Sequence, residues 1–173
     1  MHNFSELVDR CAKFTLAALS NAQEKTIHAL HENAATTLVK TLQMVQLQKV
    51  ITAIGMFSIF EAMLQDGLGG GDGFREAMNT LQQEGELALE ERFGELQLAI
   101  NVLKHGRGRS YEALIAKAGA LPFRVKLPGE YFFCEGDVSE VSTLVEVDDA
   151  FVVRCAEVIH EVSAAMRRAG RLS

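Results

Sequence analysis

The chain has 173 residues, a formal net charge of −6 and 48% apolar residues, which suits one domain with a sizeable core. The acidic balance argues against a generic nucleic-acid coat, although a local basic patch remains compatible with it. The three cysteines (Cys11, Cys134 and Cys155) are far apart and form no CxxC pair. This pattern fits reduced thiols better than a disulfide framework or a zinc site.

The N-terminus lacks the basic and then apolar pattern of a signal peptide. The most apolar run, residues 50–64, contains Glu61 and falls short of the roughly 20 residues that a membrane span needs. We therefore expect a cytoplasmic protein that has no membrane partner. We also expect no cofactor.

Residues 4–32 carry apolar residues at steps of three and four, which predicts a first helix that buries this stripe. The stripe consists of Phe4, Leu7, Cys11, Phe14 and Ala18. Residues 34–66 predict a longer second helix that is apolar on nearly all sides from 50 to 64. Such a helix is surrounded by others or forms an oligomer interface, so we expect a homodimer.

The glycine-rich run at 67–73 ends the second helix and lacks the Gly-Lys-Ser/Thr ending of a phosphate-binding loop, so it predicts a hinge or connection. Helices follow at 74–83 and 86–105, the second with a regular core stripe. That stripe consists of Leu89, Phe93, Leu96, Ile100 and Leu103. Ser110 is predicted to cap a short helix that ends near Ala118, and Asp148 or Asp149 is predicted to cap the last helix.

Between these last two helices the pattern changes to that of strands. Residues 123–127 alternate apolar and polar side chains, Pro128-Gly129 is a turn signal, and 131–133 and 143–147 read as further short strands. The predicted fold is therefore mainly α: a helical bundle with two long N-terminal helices and a small β-hairpin insertion at 120–147. A C-terminal helix at 148–170 completes a single domain over 1–173.

Positive charge is concentrated between residues 100 and 126. Six basic residues and one acid, Glu112, give this stretch a formal charge of +5. The basic residues are Lys104, Arg107, Arg109, Lys117, Arg124 and Lys126. The stretch either contacts phosphate or nucleic acid, or it pairs with the acidic residues Glu84, Glu86, Glu90, Glu91 and Glu95 within the chain or across a dimer.

Asn101 and His105 lie four residues apart, so they share one face of the predicted helix with Gln97. A histidine at this helix end can act as a general acid or base near neutral pH. Arg107 and Arg109 follow on glycine-flanked backbone and could hold a phosphate. The alternative is a polar helix end followed by a solvated basic loop.

A long apolar helix with Phe57-Ser58-Ile59-Phe60-Glu61, followed by a helix that ends in Asn101-Val102-Leu103-Lys104-His105-Gly106, resembles the HEPN superfamily. The resemblance covers roughly residues 34–118, which we take as a HEPN-like core. It implies a helical bundle that usually works as a dimer. Many members are metal-independent endoribonucleases of toxin–antitoxin or phage-defence systems, and others bind without catalysis.

The family motif consists of an arginine, then four to six intervening residues, then a histidine. Asn101 and His105 match its polar position and its histidine, but the arginine position falls on Ile100, Ala99 or Leu98. The resemblance thus implies an RNA-binding or ribonuclease-related protein in which Asn101 and His105 face the RNA and Lys104, Arg107 and Arg109 bind its phosphates. The missing arginine favours binding without cleavage. The alternative is a non-catalytic, dimeric interaction module that binds a partner protein.

Two further groups of polar residues qualify for a site. Glu61 interrupts the apolar helix and is either a buried acid that needs a basic partner or an exposed position. Four potential metal ligands lie on the first helix (Glu24, His28, His31 and Glu32), and Glu157-x-x-His160 matches one half of a di-iron motif. Since only one such unit is present, we expect no metal.

Overall fold

The computed structural model describes residues 4–32, 35–130, 132 and 141–172. These residues form a bundle of six α-helices, with short connections except for the long segment 116–148 between the last two helices. The helices are α1 (Phe4–Glu32), α2 (Thr36–Gly67), α3 (Gly73–Gln83), α4 (Leu87–His105), α5 (Arg109–Ile115) and α6 (Asp149–Arg168). A single 3-10 turn follows α5 at Ala118–Ala120. The predicted mainly helical bundle is confirmed.

Helix α6 lies at the centre of the bundle, because α1, α2, α3 and α4 all pack against it. Its apolar face is buried and consists of Phe151, Cys155, Val158, Val162 and Met166. The helix begins after Asp148, whose carboxylate accepts the N–H of Phe151 at 2.7 Å and so satisfies one free backbone donor. The cap that the sequence predicted is therefore present.

The core is densest where four phenylalanine rings from α2, α3 and α4 meet. Phe57, Phe60, Phe74 and Phe93 contact one another with ring centroids 5.2–6.3 Å apart, and Phe74 meets Phe93 edge to face. Aromatic pairs prefer such edge-to-face or offset arrangements. This cluster fixes α4 against α2, and α4 carries the candidate site at its C-terminal end.

The prediction for the buried face of α1 is correct only for Phe4, which is half-buried and stacks on Phe60 with ring centroids 6.4 Å apart. Leu7, Cys11, Phe14 and Ala18 are exposed, and Phe14 is 77% exposed. The helix instead turns Ser5, Val8 and Ala12 towards the core. These small side chains let α1 approach α6 and α2 closely, and this packing determines which of its two apolar faces is buried.

The predicted β-hairpin insertion at 120–147 is not supported, because the described part of this segment forms no strand. Residues 123–127 and 143–147 do meet, but only through one antiparallel bridge between Val125 and Val145. Two ladder bonds flank this bridge, from the Lys126 N–H to Leu144 and from the Glu146 N–H to Arg124. The next ladder donor beyond Lys126 would be residue 128, which is a proline and has no N–H. The predicted strand at 131–133 falls mostly outside the described residues.

Helix α2 is the one described helix that is long and apolar enough, by length and composition, to cross a membrane. A core helix passes the same test. Along its apolar stretch α2 buries Val50, Ala53, Phe57, Phe60 and Leu64 against the bundle. Its opposite face is exposed, so α2 is not covered on all sides within one chain.

Candidate nucleic-acid interface

The candidate site begins where α4 ends. Gly106 adopts φ +75°, a backbone conformation that other L-residues rarely take, and its N–H donates to the Val102 carbonyl at 2.8 Å. The chain therefore turns away directly after His105, whose side chain is exposed. Asn101 lies one turn earlier on the same face and is half-buried, as is Gln97. The shared polar face that the spacing predicted is present.

Three of the six cations belong to this turn, which we call the 104–109 loop (Lys104 to Arg109). The side chains of Lys104, Arg107 and Arg109 are all exposed. None of the three forms an ion pair with a residue in the described part of the chain. Their charges are thus available to an anion from solution.

Arg107 is positioned by an aromatic ring. Its guanidinium carbon lies 5.9 Å from the centroid of Tyr111, a cation–π distance. Tyr111 itself is buried, and its hydroxyl donates to the Lys126 carbonyl at 2.6 Å. A buried and hydrogen-bonded ring is a fixed support, and such a contact favours this position of the exposed Arg107 head group by about 0.5–1 kcal/mol.

The other three cations have partners inside the chain. Lys117 forms a 2.9 Å ion pair with the buried carboxylate of Glu95. Arg124 lies 3.7 Å from Glu146, and both Arg124 and Lys126 lie 5.3 Å from the ring centroid of Phe132. Pairing with the acidic stretch, the alternative raised by the sequence, therefore accounts for Lys117 but not for the 104–109 loop.

One carboxylate of the acidic stretch, that of Glu86, pairs with α6. Glu86 pairs with Arg168 at 2.8 Å, and next to this stretch Arg92 forms two hydrogen bonds with Glu161. These hydrogen bonds raise the pKa of Arg92 above its usual range, although burial opposes the shift. The paired carboxylates of Glu86 and Glu161 therefore have partners other than the 104–109 loop.

The positions where the HEPN motif would carry its arginine belong to the core. Ile100 is 3% exposed, Ala99 is fully buried, and Leu98 is half-buried against the core cluster. The phenylalanine cluster fixes the helix rotation, so these positions point into the bundle. Asn101 and His105 consequently stand at the surface without the arginine of the family motif.

The remaining candidates do not join this site. Glu61 is half-buried on α2 and forms no ion pair with any residue whose placement is described. On α1, His28 lies 3.8 Å from Glu32, and both side chains are exposed. His160 and Glu157 line a shallow groove with Glu6 and Asp9. In the described ranges, no three His, Cys, Asp or Glu side chains come together in a way that could hold a metal ion.

The sequence did not lead us to predict the two aromatic rings, Tyr111 and Phe132, that contact cations of the basic stretch. Tyr111 follows Arg107 by four residues, a spacing that brings side chains together at a helix start, so this signal was present. Phe132 gave no such signal, because its contacts with Arg124 and Lys126 depend on the fold of the 123–132 segment. Also unforeseen was the buried Lys49, which forms a 2.7 Å ion pair with Asp149 and joins α2 to the start of α6.

Comparison with known proteins adds no relative. No protein-family model, curated protein or solved structure matches this chain. The functional proposal is consequently based on the residues of the 104–109 loop and their surroundings.

Proposed function

We propose that this chain is a HEPN-like protein that binds RNA through the 104–109 loop without cleaving it. The observation that carries the proposal is the set of three exposed cations, Lys104, Arg107 and Arg109, that have no ion-pair partner among the described residues. Three cations that have no ion-pair partner in the described ranges, beside an exposed histidine, offer a local site for phosphate in an otherwise acidic protein.

Each residue has a distinct part in this proposal. Arg107, supported on Tyr111, offers a planar guanidinium that can hold one phosphate bidentately. Lys104 and Arg109 supply point charges on either side of it along the chain. Asn101 and His105 offer hydrogen bonds to the sugar or the base edges.

The absence of cleavage follows from the composition of the site. A histidine alone can act as general acid or base, but a developing negative charge on the phosphate also needs a fixed cation. The motif position that would supply this cation is occupied by the buried Ile100. Binding in a toxin–antitoxin or defence setting remains part of the proposal through the family resemblance alone.

Salt-dependent binding of a short fluorescein-labelled single-stranded RNA, followed by fluorescence anisotropy in EDTA, tests the proposal. Three phosphate contacts predict that the logarithm of the binding constant falls with the logarithm of salt with a slope of about −2. The triple variant Lys104→Ala, Arg107→Ala, Arg109→Ala should lose this slope and bind about 100-fold more weakly at about 0.1 M salt.

A matched triple variant removes the same charge elsewhere. Lys25, Arg75 and Arg171 are exposed and have no ion-pair partner in the described structure, so Lys25→Ala, Arg75→Ala, Arg171→Ala is the control. Equal weakening by both triples would show a non-specific charge effect and overturn the proposed site. Absence of salt-sensitive binding in folded protein would leave the interaction module. RNA cleavage that His105→Ala abolishes would overturn the non-catalytic part.

A further inference from the structure

Helix α2 has an exposed face opposite to its core face. Five large apolar residues on it are 41–58% exposed and recur at helical spacing. They are Met44, Leu47, Ile51, Ile59 and Met63. Gly55 lies on the same line between Ile51 and Ile59. We call this surface, from Lys40 to Asp66, the outer face of α2. It also carries the exposed Gln48, and a largely apolar surface of this kind marks an interaction site.

The charges of α2 are arranged at the two ends of this face. The helix contains four charged residues, and two of them, Lys49 and Glu61, lie outside the outer face. Lys49 is buried against Asp149. Glu61 is two residues from both Ile59 and Met63, which places it on another side of a 3.6-residue helix. Lys40 and Asp66 remain, both exposed, and neither has an ion-pair partner in the part of the chain that is described.

The outer face has nearly the same pattern when it is read in either direction. Lys40 corresponds to Asp66, Met44 to Met63, Leu47 to Ile59 and Ile51 to Gly55, with a midpoint near residue 53. A second copy placed antiparallel across a two-fold axis at that midpoint would match apolar residues with apolar residues. It would also place each Lys40 opposite an Asp66, whereas a parallel copy would place like charges together.

The centre of the face allows close approach. A Cβ built on Gly55 meets no atom of its own chain within 4 Å, so the missing side chain leaves a depression in the surface at this point. In the antiparallel arrangement Ile51 of the second copy faces this depression. The two helices can therefore pack closely, and packed helix axes approach to about 8–10 Å.

We propose that a second copy of this chain covers the outer face of α2 in an antiparallel homodimer, with a Lys40–Asp66 ion pair at each end. The face is about 39 Å long and about 10 Å wide, which gives about 400 Å² per copy. A standard interface buries about 800 Å² per partner. The dimer is therefore small and reversible, and its fraction depends on protein concentration. This proposal is independent of RNA binding.

Charge reversal tests the antiparallel arrangement. Lys40→Glu or Asp66→Lys alone should weaken the dimer about tenfold at low salt in sedimentation velocity, since each single change makes both end contacts repulsive. The double variant Lys40→Glu, Asp66→Lys should restore dimerisation, because each reversed charge again faces its opposite. Single variants that dimerise like wild type, or a double variant that stays monomeric, would overturn the arrangement.

A second pair of variants separates dimer loss from misfolding. Gly55→Leu meets open space in the monomer and raises helix propensity, so its melting temperature should be unchanged or higher while its dimer is lost. Phe14→Ser removes a more exposed apolar side chain from α1 and should leave the dimer intact. Loss of the dimer in Phe14→Ser, together with an intact dimer in Gly55→Leu, would instead place the interface on α1. A wild type that stays monomeric at all concentrations, or that instead sediments with zwitterionic lipid vesicles, would sink the proposal.

Discussion

Replacing Lys117 by alanine tests whether the basic stretch is divided into a structural part and a ligand-binding part. In the structure the Lys117 ammonium lies 2.9 Å from the Glu95 carboxylate, and the Glu95 side chain is only 9% exposed. Without Lys117 this carboxylate remains buried and loses its counter-charge. A buried group that loses its partner costs about 1–3 kcal/mol of stability, and more when it is charged and fully enclosed.

The Lys117 side chain is 37% exposed, so water screens part of the interaction and the lower half of this range applies. We expect Lys117→Ala to lower the free energy of unfolding by about 1–2 kcal/mol. In a chain of this length that corresponds to a decrease in melting temperature of roughly 2–8 °C. RNA affinity should not change, because Lys117 is assigned no phosphate contact.

Urea denaturation followed by far-ultraviolet circular dichroism measures the stability change. In a Glu95→Gln background, Lys117→Ala should cost about 1 kcal/mol less, because the buried charge is already gone. Lys13→Ala is the matched control: Lys13 pairs with Asp9 at 2.8 Å, but the pair is exposed, and its loss should cost less than about 0.5 kcal/mol. Equal costs for the two lysines would refute the structural role of Lys117. A loss of RNA affinity in Lys117→Ala would refute the division of the basic stretch.

Two further predictions concern the core. Phe93→Ala should lower the free energy of unfolding by about 3–5 kcal/mol in the same urea assay, because Phe93 is fully buried and contacts three other rings; a cost below about 1 kcal/mol would contradict this. Burial raises the pKa of the Cys155 thiol well above its usual range, so iodoacetamide should modify the exposed Cys11 and spare Cys155 in native protein, as read by mass spectrometry. Because the pKa of Cys155 is higher in the folded than in the unfolded state, the folded state keeps the thiol proton at a pH where the unfolded chain loses it. The stability that this provides is fully present below the unfolded pKa of about 8.5, and the free energy of unfolding decreases above that pH by up to about 1.4 kcal/mol per pH unit. Cys155→Ala should remove that part of the pH dependence, and an unchanged slope above this pH would contradict the burial argument.

The helices were predictable where the sequence supplied both a stripe and an end signal. Helix α4 has a core stripe and Gly106, and α6 has a core stripe and Asp148, so the predicted bounds agree with the structure to within about two residues. Ser110 does not cap α5 as predicted. Gly108 occupies that position, and the helix starts one residue before Ser110.

The prediction failed where two solutions satisfied the same local pattern. Helix α1 has apolar residues on two faces, and only its packing against α6 and α2 selects the face with Val8 and Ala12. Residues 123–127 and 143–147 have the alternation of strands, but the ladder cannot continue past Lys126, because Pro128 has no N–H to donate and the Lys126 carbonyl accepts the Tyr111 hydroxyl. Neither outcome can be read from the periodicity.

The candidate site was predictable as a cluster of charge but not as an arrangement. The excess of positive charge between 100 and 126 is visible in the sequence, whereas the partner of each cation is not. Lys117 finds Glu95 in the preceding helix, and Arg124 finds Glu146 across the bridge between Val125 and Val145. Only the tertiary contacts show that Lys104, Arg107 and Arg109 are left without such a partner among the described residues.

The packing of the core also limits which side chains the candidate site can contain. The HEPN motif needs an arginine on α4, but the rotation that exposes Asn101 and His105 turns Ile100 into the bundle, where it is 3% exposed. An arginine there would bury an unpaired charge, which a protein of ordinary stability cannot tolerate. A cation for catalysis would have to come from the loop after His105 instead, where the exposed Arg107 head group contacts the Tyr111 ring. The same packing that orders the end of α4 therefore favours an RNA-binding surface over a nuclease.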